Sequence, residues 1–283
     1  MCLIALALDR HPRFTLVIAA NRDEFLDRAA ASLDWWQPAP AAAPLLSGRD
    51  LRAGGTWMGL SATGRVAMLT NVRDLPRQKP TAPSRGAIVP AWLAAQSSAA
   101  DFWRDMATRD HNPFNLLAGD LAHRQWWWAD DRAREPQRLE PGLYGLSNAA
   151  LDTPWPKVQQ LKAAVAAALA QAASTAQLEA LLFAALADRR TAPDAALPDT
   201  GVGLERERWL APAFIRTPDA RYGTRCSTLL IVEREGSALS ARMVERQFDA
   251  AGLAHAQRGV QLDDWPLPGA SVPPVRAEPL NAS

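Results

Sequence analysis

Two continuous apolar runs, 2–8 and 14–20, open the chain, and a five-residue polar segment separates them. Runs without polar alternation are typical of strands that are buried on both faces. Five residues is also a common length for a hairpin loop. The pattern therefore predicts an antiparallel β-hairpin at the start of the chain.

The register of this hairpin decides which residues lie beside the N-terminus. If the hairpin is symmetric about His11, Cys2 faces Ala20, and the polar segment 21–24 follows directly. A slip of one residue would move every side chain to the other face of the sheet. With the symmetric register, we expect segment 21–24 to lie next to the first residues of the chain.

Further strands and helices follow in alternating blocks. Additional strands are predicted at 55–61, 65–71, 115–121, 125–129, 227–233 and 239–246. Apolar residues at helical spacing predict a helix at 155–171, and a capping box of Ser174 and Gln177 opens another. Shorter helices are predicted at 88–95 and 99–108. This order favours a layered domain with largely antiparallel sheets and helices outside them.

Composition excludes one class of partner. The chain has 283 residues, with 31 basic and 30 acidic side chains and a formal charge of +1. Nucleic-acid-binding proteins need an excess of positive charge on one face, so a nucleic-acid partner is not expected. A chain of this length buries about 75% of its unfolded surface, enough for a core without disulfides or a metal. We expect one domain over 1–261 and a proline-rich tail over 262–283.

The cysteine count and the apolar runs bear on the compartment. Two cysteines are too few for a disulfide framework and favour a reducing environment. No stretch approaches the roughly 20 apolar residues that span a bilayer. The first run also lacks the basic segment and cleavage site of a signal peptide. We therefore predict a cytoplasmic protein without a transmembrane segment.

Several common catalytic motifs are absent from the sequence. It has no glycine-rich phosphate loop and no dinucleotide-binding fingerprint. Segment 59–63 lacks the second glycine of the serine-hydrolase nucleophile elbow. The four histidines have no metal-ligand spacing, so we predict no metal site.

The position of Cys2 is compatible with two interpretations. If Met1 is removed, the Cys2 thiol and a free α-amine lie on one residue. The ordinary pKa of an α-amine, about 7.7–8.0, suits a general base, so nucleophile and base would come from the same residue. Alternatively, Cys2 is a small buried apolar residue within a strand, which is common for cysteine.

Charged residues after the second strand favour the catalytic interpretation. The hairpin places Arg22 and Asp23 close to Cys2. A cation near a thiol lowers its pKa, and a carboxylate near the α-amine orients the ammonium form. Glu24 is an alternative to Asp23 for this second role.

Several short motifs carry a resemblance to a known family. They are Met1-Cys2 and Asn21-Arg22-Asp23-Glu24, followed by Gly54-Gly55-Thr56-Trp57-Met58-Gly59, Thr70-Asn71-Val72-Arg73, Ser84-Arg85-Gly86, Phe114-Asn115-Leu116-Leu117, Gly145-Leu146-Ser147-Asn148 and Tyr222-Gly223-Thr224-Arg225. In number and order they resemble the NRDE-motif family, also called the transport and Golgi organisation protein 2 family. The resemblance extends from residue 2 to about residue 232, and Cys226 stands where the family more often has serine.

The resemblance implies a fold and a set of site residues. The fold is that of N-terminal nucleophile hydrolases, an α+β four-layer αββα sandwich with two stacked antiparallel sheets. The sequence is also similar to cysteine amidases that act on bile salts and penicillin V. By position, the implied catalytic residues are Cys2, Arg22, Asp23, Asn71, Asn148 and Arg225. The two asparagines are alternatively strand-end and turn residues, where asparagine is frequent.

Two functions remain open at this level. The first is a cysteine hydrolase of a non-peptide amide or related acyl bond, which takes a small-molecule substrate and requires no cofactor. The second is a non-catalytic protein for haem trafficking or for lipid or acyl-coenzyme A handling, with haem as a possible ligand. Eleven tryptophans would suit a planar ligand, although core positions are their more common place.

Overall fold

A computed structural model describes residues 2–39 and 42–267. The chain divides into two compact units. The described residues of unit 1 are 2–27 and 141–263, and those of unit 2 are 28–39, 42–140 and 264–267.

The described residues form thirteen β-strands and five α-helices. The strands are β1 (Cys2–Leu8), β2 (Phe14–Phe25), β3 (Ala30–Trp36), β4 (Leu45–Asp50), β5 (Met58–Ser61), β6 (Arg65–Asn71), β7 (Phe114–Asp120), β8 (Gln125–Asp130), β9 (Gln137–Arg138), β10 (Gly142–Leu146), β11 (Tyr222–Glu235), β12 (Ala238–Phe248) and β13 (Ala254–Leu262). The helices are α1 (Ile88–Ala94), α2 (Ala99–Ala107), α3 (Pro156–Gln171), α4 (Thr175–Leu186) and α5 (Leu204–Leu210). Within this part of the chain, no helix is both long and apolar enough to cross a bilayer.

Unit 1 is built on a six-stranded antiparallel sheet with the order β10-β1-β2-β11-β12-β13. Helices α3 and α4 cover one face, where Leu3 and Val17 of the sheet pack with Val158 and Leu182 of the helices. Because side chains alternate along a strand, residues with the parity of Cys2 on β1 lie on the opposite face.

Unit 2 is built on a seven-stranded antiparallel sheet with the order β3-β4-β5-β6-β7-β8-β9. Helices α1 and α2 cover one face, where Leu69 and Leu116 pack with Trp92 and Trp103. The predicted α+β class with two antiparallel sheets is thus confirmed, and each unit supplies one sheet and one helical layer of the predicted four-layer fold.

Most predicted elements occur within one or two residues of their expected bounds. The Ser174 hydroxyl accepts the hydrogen bond of the Gln177 amide at the start of α4, as the capping box requires. The Gln177 side chain accepts a bond from the amide of Ala173 on the other side of the cap. No prediction was made from the sequence for β3, β4, β9, β10, β13 or α5.

The predicted hairpin register is wrong by two residues. Cys2 pairs with Arg22, and Leu8 pairs with Leu16. The reason is an enlarged loop, because the His11 ring nitrogen accepts the backbone N–H groups of Arg13 and Phe14. A two-residue shift keeps every side chain on its expected face, but it places Arg22 itself, rather than Ala20, opposite Cys2.

The predicted division into a domain at 1–261 and a tail at 262–283 stays a prediction. From residue 268 onward, the tail lies outside the described residues. Its residues 262–263 belong to unit 1 and 264–267 to unit 2, where Trp265 is buried and donates its indole N–H to the Ser61 carbonyl oxygen at 2.9 Å.

Candidate functional site

Three side chains form a row across the sheet of unit 1. Arg22 on β2 pairs with Cys2 on β1 and with Cys226 on β11. Directly paired residues of neighbouring antiparallel strands point to the same face. Cys2 is 9% exposed and Arg22 is 5% exposed, so the row is buried. The face that carries it is the one opposite to α3 and α4.

A β-bulge adds Arg225 to this row. Thr224 pairs with Asp23 and Cys226 pairs with Arg22, so Arg225 is the extra residue between them. Bulges bend a strand and re-aim a side chain. Burial, and then the positive charge of Arg22, lower the pKa of Arg225. Arg225 Nη1 also donates to the carbonyl oxygen of Phe25 at 3.3 Å.

Asp23 lies one step beyond Arg22 along β2 and therefore points to the other face of the sheet. Its Oδ1 accepts a hydrogen bond from the Thr224 hydroxyl at 2.7 Å, and its backbone oxygen accepts one from the Tyr222 hydroxyl at 2.8 Å. In the register of β1 and β2, this position lies beside the amino end of Cys2. Glu24 lies on the Arg22 face, with its carboxylate 3.9 Å from Arg22 Nη2.

Asn148 is linked to Cys2 through Ser147. The β1–β10 pairing ends with Ile4 opposite Leu146, and Asn148 follows two residues later, outside the strand. Asn148 is buried. The hydroxyl of Ser147 lies 3.1 Å from the Cys2 carbonyl oxygen and 3.2 Å from Asn148 Oδ1.

The two thiols of the row have perturbed acidities. Burial raises the pKa of the Cys2 thiol; Asp23 acts in the same direction, and Arg22 opposes it. Burial raises the pKa of Cys226 well above its usual range; Glu245 adds to this shift, and Arg22 again opposes it. Both side chains therefore hold their protons at neutral pH, and nucleophilic attack by either one needs a base.

Asn71 is the one candidate that belongs to unit 2. It ends β6, is half-buried and pairs with Phe114, whose ring lies in the core beneath α1 and α2. The preceding residue, Thr70, points to the opposite face and accepts a hydrogen bond from Asn115 Nδ2 at 3.1 Å. The structure thus brings together Cys2, Arg22, Asp23, Asn148 and Arg225 in unit 1, and Asn71 belongs to unit 2.

Two further family motifs have a structural explanation in unit 2. The backbone of Gly55 approaches that of Gly86 so closely that a Cβ on Gly55 would lie 2.1 Å from the Gly86 carbonyl oxygen. The same oxygen accepts the Thr56 N–H at 3.0 Å. These glycines join two chain segments, and their place in the motifs does not require a catalytic role.

Two residues near the row were not assigned roles from the sequence. Asn21 Nδ2 donates to the carbonyl oxygens of Leu186 and Ala213, both at 2.8 Å, and its Oδ1 accepts from the Ser227 hydroxyl at 2.6 Å. Ser147 contacts both Cys2 and Asn148. The sequence signal for both was their place inside family motifs, which does not distinguish a structural role from a chemical one.

The described residues contain no group of three or more histidine, cysteine or acidic side chains that could hold a metal ion. The chemistry available to the row, together with Arg225 and Asn148, is that of two thiols, two guanidinium groups and an amide. Such groups can attack a carbonyl carbon and bind the negative charge that forms on its oxygen.

Comparison with known proteins identifies the family. The family model described as Transport and Golgi organisation 2 matches residues 1–250. The chain is 34% identical to a Transport and Golgi organization 2 homolog of Mus musculus, over 83% of this chain and 90% of that protein. The Homo sapiens homolog is 32% identical, over 90% of this chain and 96% of that protein.

A solved structure gives a weaker likeness. It is a Caenorhabditis elegans N-acylethanolamine-hydrolyzing acid amidase ortholog, 9% identical, with a TM-score of 0.42 over 81% of this chain and 92% of that one. A likeness at this level carries no inference about the site. The sequence relatives and the family model are sufficient, and they confirm the resemblance drawn from the motifs: the chain belongs to the transport and Golgi organisation 2 family.

Proposed function

We propose that the protein is an N-terminal cysteine hydrolase of a non-peptide amide or a related acyl bond, active once Met1 has been removed. The observation that carries this proposal is that Cys2 pairs with the buried Arg22 on one side and on the other contacts Ser147, whose hydroxyl also reaches the buried Asn148. A cysteine that only filled the core would not need a buried cation and a buried amide beside it.

The reaction begins with proton transfer within one residue. The α-amine of Cys2 takes the thiol proton as the sulfur attacks the acyl carbon, so a C–S bond forms and the carbonyl electron pair moves to oxygen. Collapse of this oxyanion breaks the C–N bond, and the departing nitrogen takes the proton from the α-ammonium group. Water then attacks the thioester with the amine again as base, which releases the acid and restores the thiol.

The raised pKa of the thiol explains why an adjacent base is needed. Since burial keeps Cys2 protonated at neutral pH, a resting thiolate would be scarce. The ordinary pKa of an α-amine, about 7.7–8.0, lies within about one unit of neutrality, so roughly a tenth or more of the amine is free to act as the base at pH 7. Arg22 stabilises the developing thiolate, and Asp23, beside the amino end of Cys2, holds the ammonium form.

Asn148 is the proposed donor to the oxyanion. A preorganised donor of this kind contributes about 2.7–4 kcal/mol to the lowering of the barrier. Arg225, on β11, adds positive charge on the side of Arg22 away from Asn148, and it binds the acyl substrate or its leaving group. The corresponding role of Asn71, inferred from the resemblance, stays a prediction.

Two measurements test the proposal. Mass spectrometry of the purified protein should find Cys2 as the first residue, and full retention of Met1 would contradict the catalytic role. Screening amides and thioesters should then find turnover that Cys2→Ala abolishes. Cys226→Ala is the matched control, since it removes the other buried thiol of the row and should retain turnover.

The same variants separate this proposal from a carrier without turnover. A carrier of haem or lipid would bind its ligand equally well with Cys2→Ala, because no covalent step depends on the thiol. Binding is measured by titrating haem and following absorbance, or by titrating acyl-coenzyme A and following tryptophan fluorescence. Ligand binding that is unaffected by Cys2→Ala, together with no turnover in the screen, would favour the carrier.

A further inference from the structure

Ser147 lies at the junction of the nucleophile and the oxyanion donor. It is the first residue after β10 and is 3% exposed. Its hydroxyl is therefore fixed in the protein interior next to the row, and not at a solvent-exposed turn.

The Ser147 hydroxyl has one proton and two acceptors within reach. Its oxygen lies 3.1 Å from the Cys2 carbonyl oxygen and 3.2 Å from Asn148 Oδ1. A hydroxyl donates a single hydrogen bond, so the two acceptors share it. One acceptor belongs to the residue that would attack, and the other to the side chain that would bind the oxyanion.

An asparagine amide has a donor end and an acceptor end, and only the donor end can stabilise an oxyanion. A donor fixed at Oδ1 turns that end toward Ser147 and directs Nδ2 away from it. Without this contact, a 180° turn of the amide would point its carbonyl oxygen at the oxyanion of the substrate. The partial negative charge of the amide oxygen would then repel the negative charge of the oxyanion. Orientation of the amide is therefore as important as its presence.

We propose that Ser147 is a positioning residue, which orients the Asn148 amide so that its NH₂ group faces the acyl oxygen of the substrate. This inference rests on the proposed hydrolase function and adds a residue that the family resemblance did not assign to the site. Ser147 itself contacts no reacting atom.

Two electrophiles distinguish positioning from general support of the fold. Acylation of Cys2 by 4-nitrophenyl acetate passes through a tetrahedral oxyanion, whereas alkylation by iodoacetamide displaces iodide and forms no oxyanion. Both rates are measured on protein that has lost Met1, as verified by mass, in a Cys226→Ala background so that one thiol reacts. The variants are Ser147→Ala and Ser147→Thr.

Ser147→Ala should slow acylation about tenfold, less than the loss of an entire oxyanion donor, and should leave alkylation within about twofold of the parent. Ser147→Thr keeps a hydroxyl at the same place and should restore acylation. Unchanged acylation in Ser147→Ala, or an equal fall in both rates, would overturn the positioning role. Failure of the proposed function has a different signature: the parent would acylate no faster than its Cys2→Ala variant, and the role of Ser147 would then be overturned with it.

Discussion

Arg22 lies between two thiols, yet these thiols have different surroundings. Cys226 lies near Glu245, a buried carboxylate on β12, and burial together with that charge opposes ionisation of Cys226. Cys2 lies at the end of its strand, near Asp23 and Ser147. One cation therefore acts on two cysteines, and their different surroundings leave Cys2 as the candidate nucleophile.

Because the pKa of Cys226 is raised in the native state, the stability of the protein falls as the pH becomes alkaline. The unfolded thiol ionises above a pKa of about 8.5, whereas the native thiol keeps its proton. The native state then binds more protons than the unfolded state, so the stabilising contribution is complete below about pH 8.5 and is lost as the pH rises toward the native pKa.

We expect Cys226→Ala to flatten this decline. Between pH 8.5 and pH 10, its free energy of unfolding should fall more slowly than that of the parent, by up to about 1.4 kcal/mol per pH unit. Urea unfolding at a series of pH values measures both slopes. Parallel curves for parent and variant would contradict the assigned pKa direction.

Asn21 is the residue whose loss should cost most stability beside the row. Asn21→Ala leaves the carbonyl oxygens of Leu186 and Ala213 and the hydroxyl of Ser227 without their partner in the interior. Buried groups left unsatisfied cost about 1–3 kcal/mol each, so we expect a loss of roughly 3 kcal/mol or more.

Guanidinium unfolding measures this loss, and Gln160→Ala on the exposed side of α3 is the control. The control should change stability by less than about 0.5 kcal/mol. A similar small change in Asn21→Ala would show that water replaces its three bonds.

At the scale of elements, the segment around Gly55 should be the least tolerant of an added methyl group. Gly55→Ala places a Cβ 2.1 Å from the Gly86 carbonyl oxygen, and backbone on both sides would have to move. Overpacking of this kind costs about 1–3 kcal/mol and occasionally more, and we expect the upper end.

Gly86→Ala is the matched control on the same contact. A Cβ there meets its nearest atom, the Ser84 hydroxyl oxygen, at 3.4 Å, an ordinary van der Waals distance. Thermal unfolding should show a large fall in Tm for Gly55→Ala and a small change for Gly86→Ala. Equal falls in Tm for the two substitutions would contradict the prediction that a Cβ on Gly55 meets the facing backbone whereas a Cβ on Gly86 does not.

The elements that could be predicted from the sequence are those with a strong periodic pattern. The apolar run of β1 and the capping box of α4 depend on local residues and were predicted correctly, whereas β2 extends five residues beyond its predicted end at residue 20. Strands β10 and β13 were missed, because Gly142–Leu146 contains two glycines and Ala254–Leu262 has weak alternation. These strands are held mainly by their neighbours in the sheet.

The candidate site was predictable in its residues and less so in its geometry. The side-chain bonds of His11 shifted the hairpin by two residues, and no pattern of apolar positions shows such a shift. The bulge at Arg225 depends on pairing between strands about 200 residues apart, so it is visible only in the folded chain. Ser147 was hidden for a similar reason, since its two contacts form only after β10 pairs with β1.

For the whole molecule, the two units differ in how the chain forms them. The sheet of unit 2 uses one continuous stretch, 30–138, whereas the sheet of unit 1 combines 2–25 with strands from 142 to 262. In unit 1, β2 lies between β1 and β11. Its longest pairing, with β11, cannot form until the last third of the chain is present.

A chain that ends at residue 140 should therefore leave β1 and β2 without stable structure. The fragment keeps this hairpin but lacks β10 through β13 and both covering helices, and an isolated hairpin is marginal in water. Hydrogen exchange should find residues 2–25 unprotected in the fragment and strongly protected in the full chain. Equal protection in both would contradict this dependence.

Because Cys2 is buried in the folded sheet, Met1 has to be removed before that sheet forms. Cys2 lies in a strand that is paired on both sides, and the sheet around it becomes stable only when β11, which pairs with β2 and ends at Glu235, has been made. At 5–20 residues per second, synthesis of that length takes on the order of tens of seconds. A peptidase that removes Met1 needs an extended chain end and must act within that interval. Under the hydrolase proposal, each molecule therefore becomes either an active form without Met1 or an inactive form with Met1 while it is still being synthesised. A mixed preparation would contain two populations that do not interconvert.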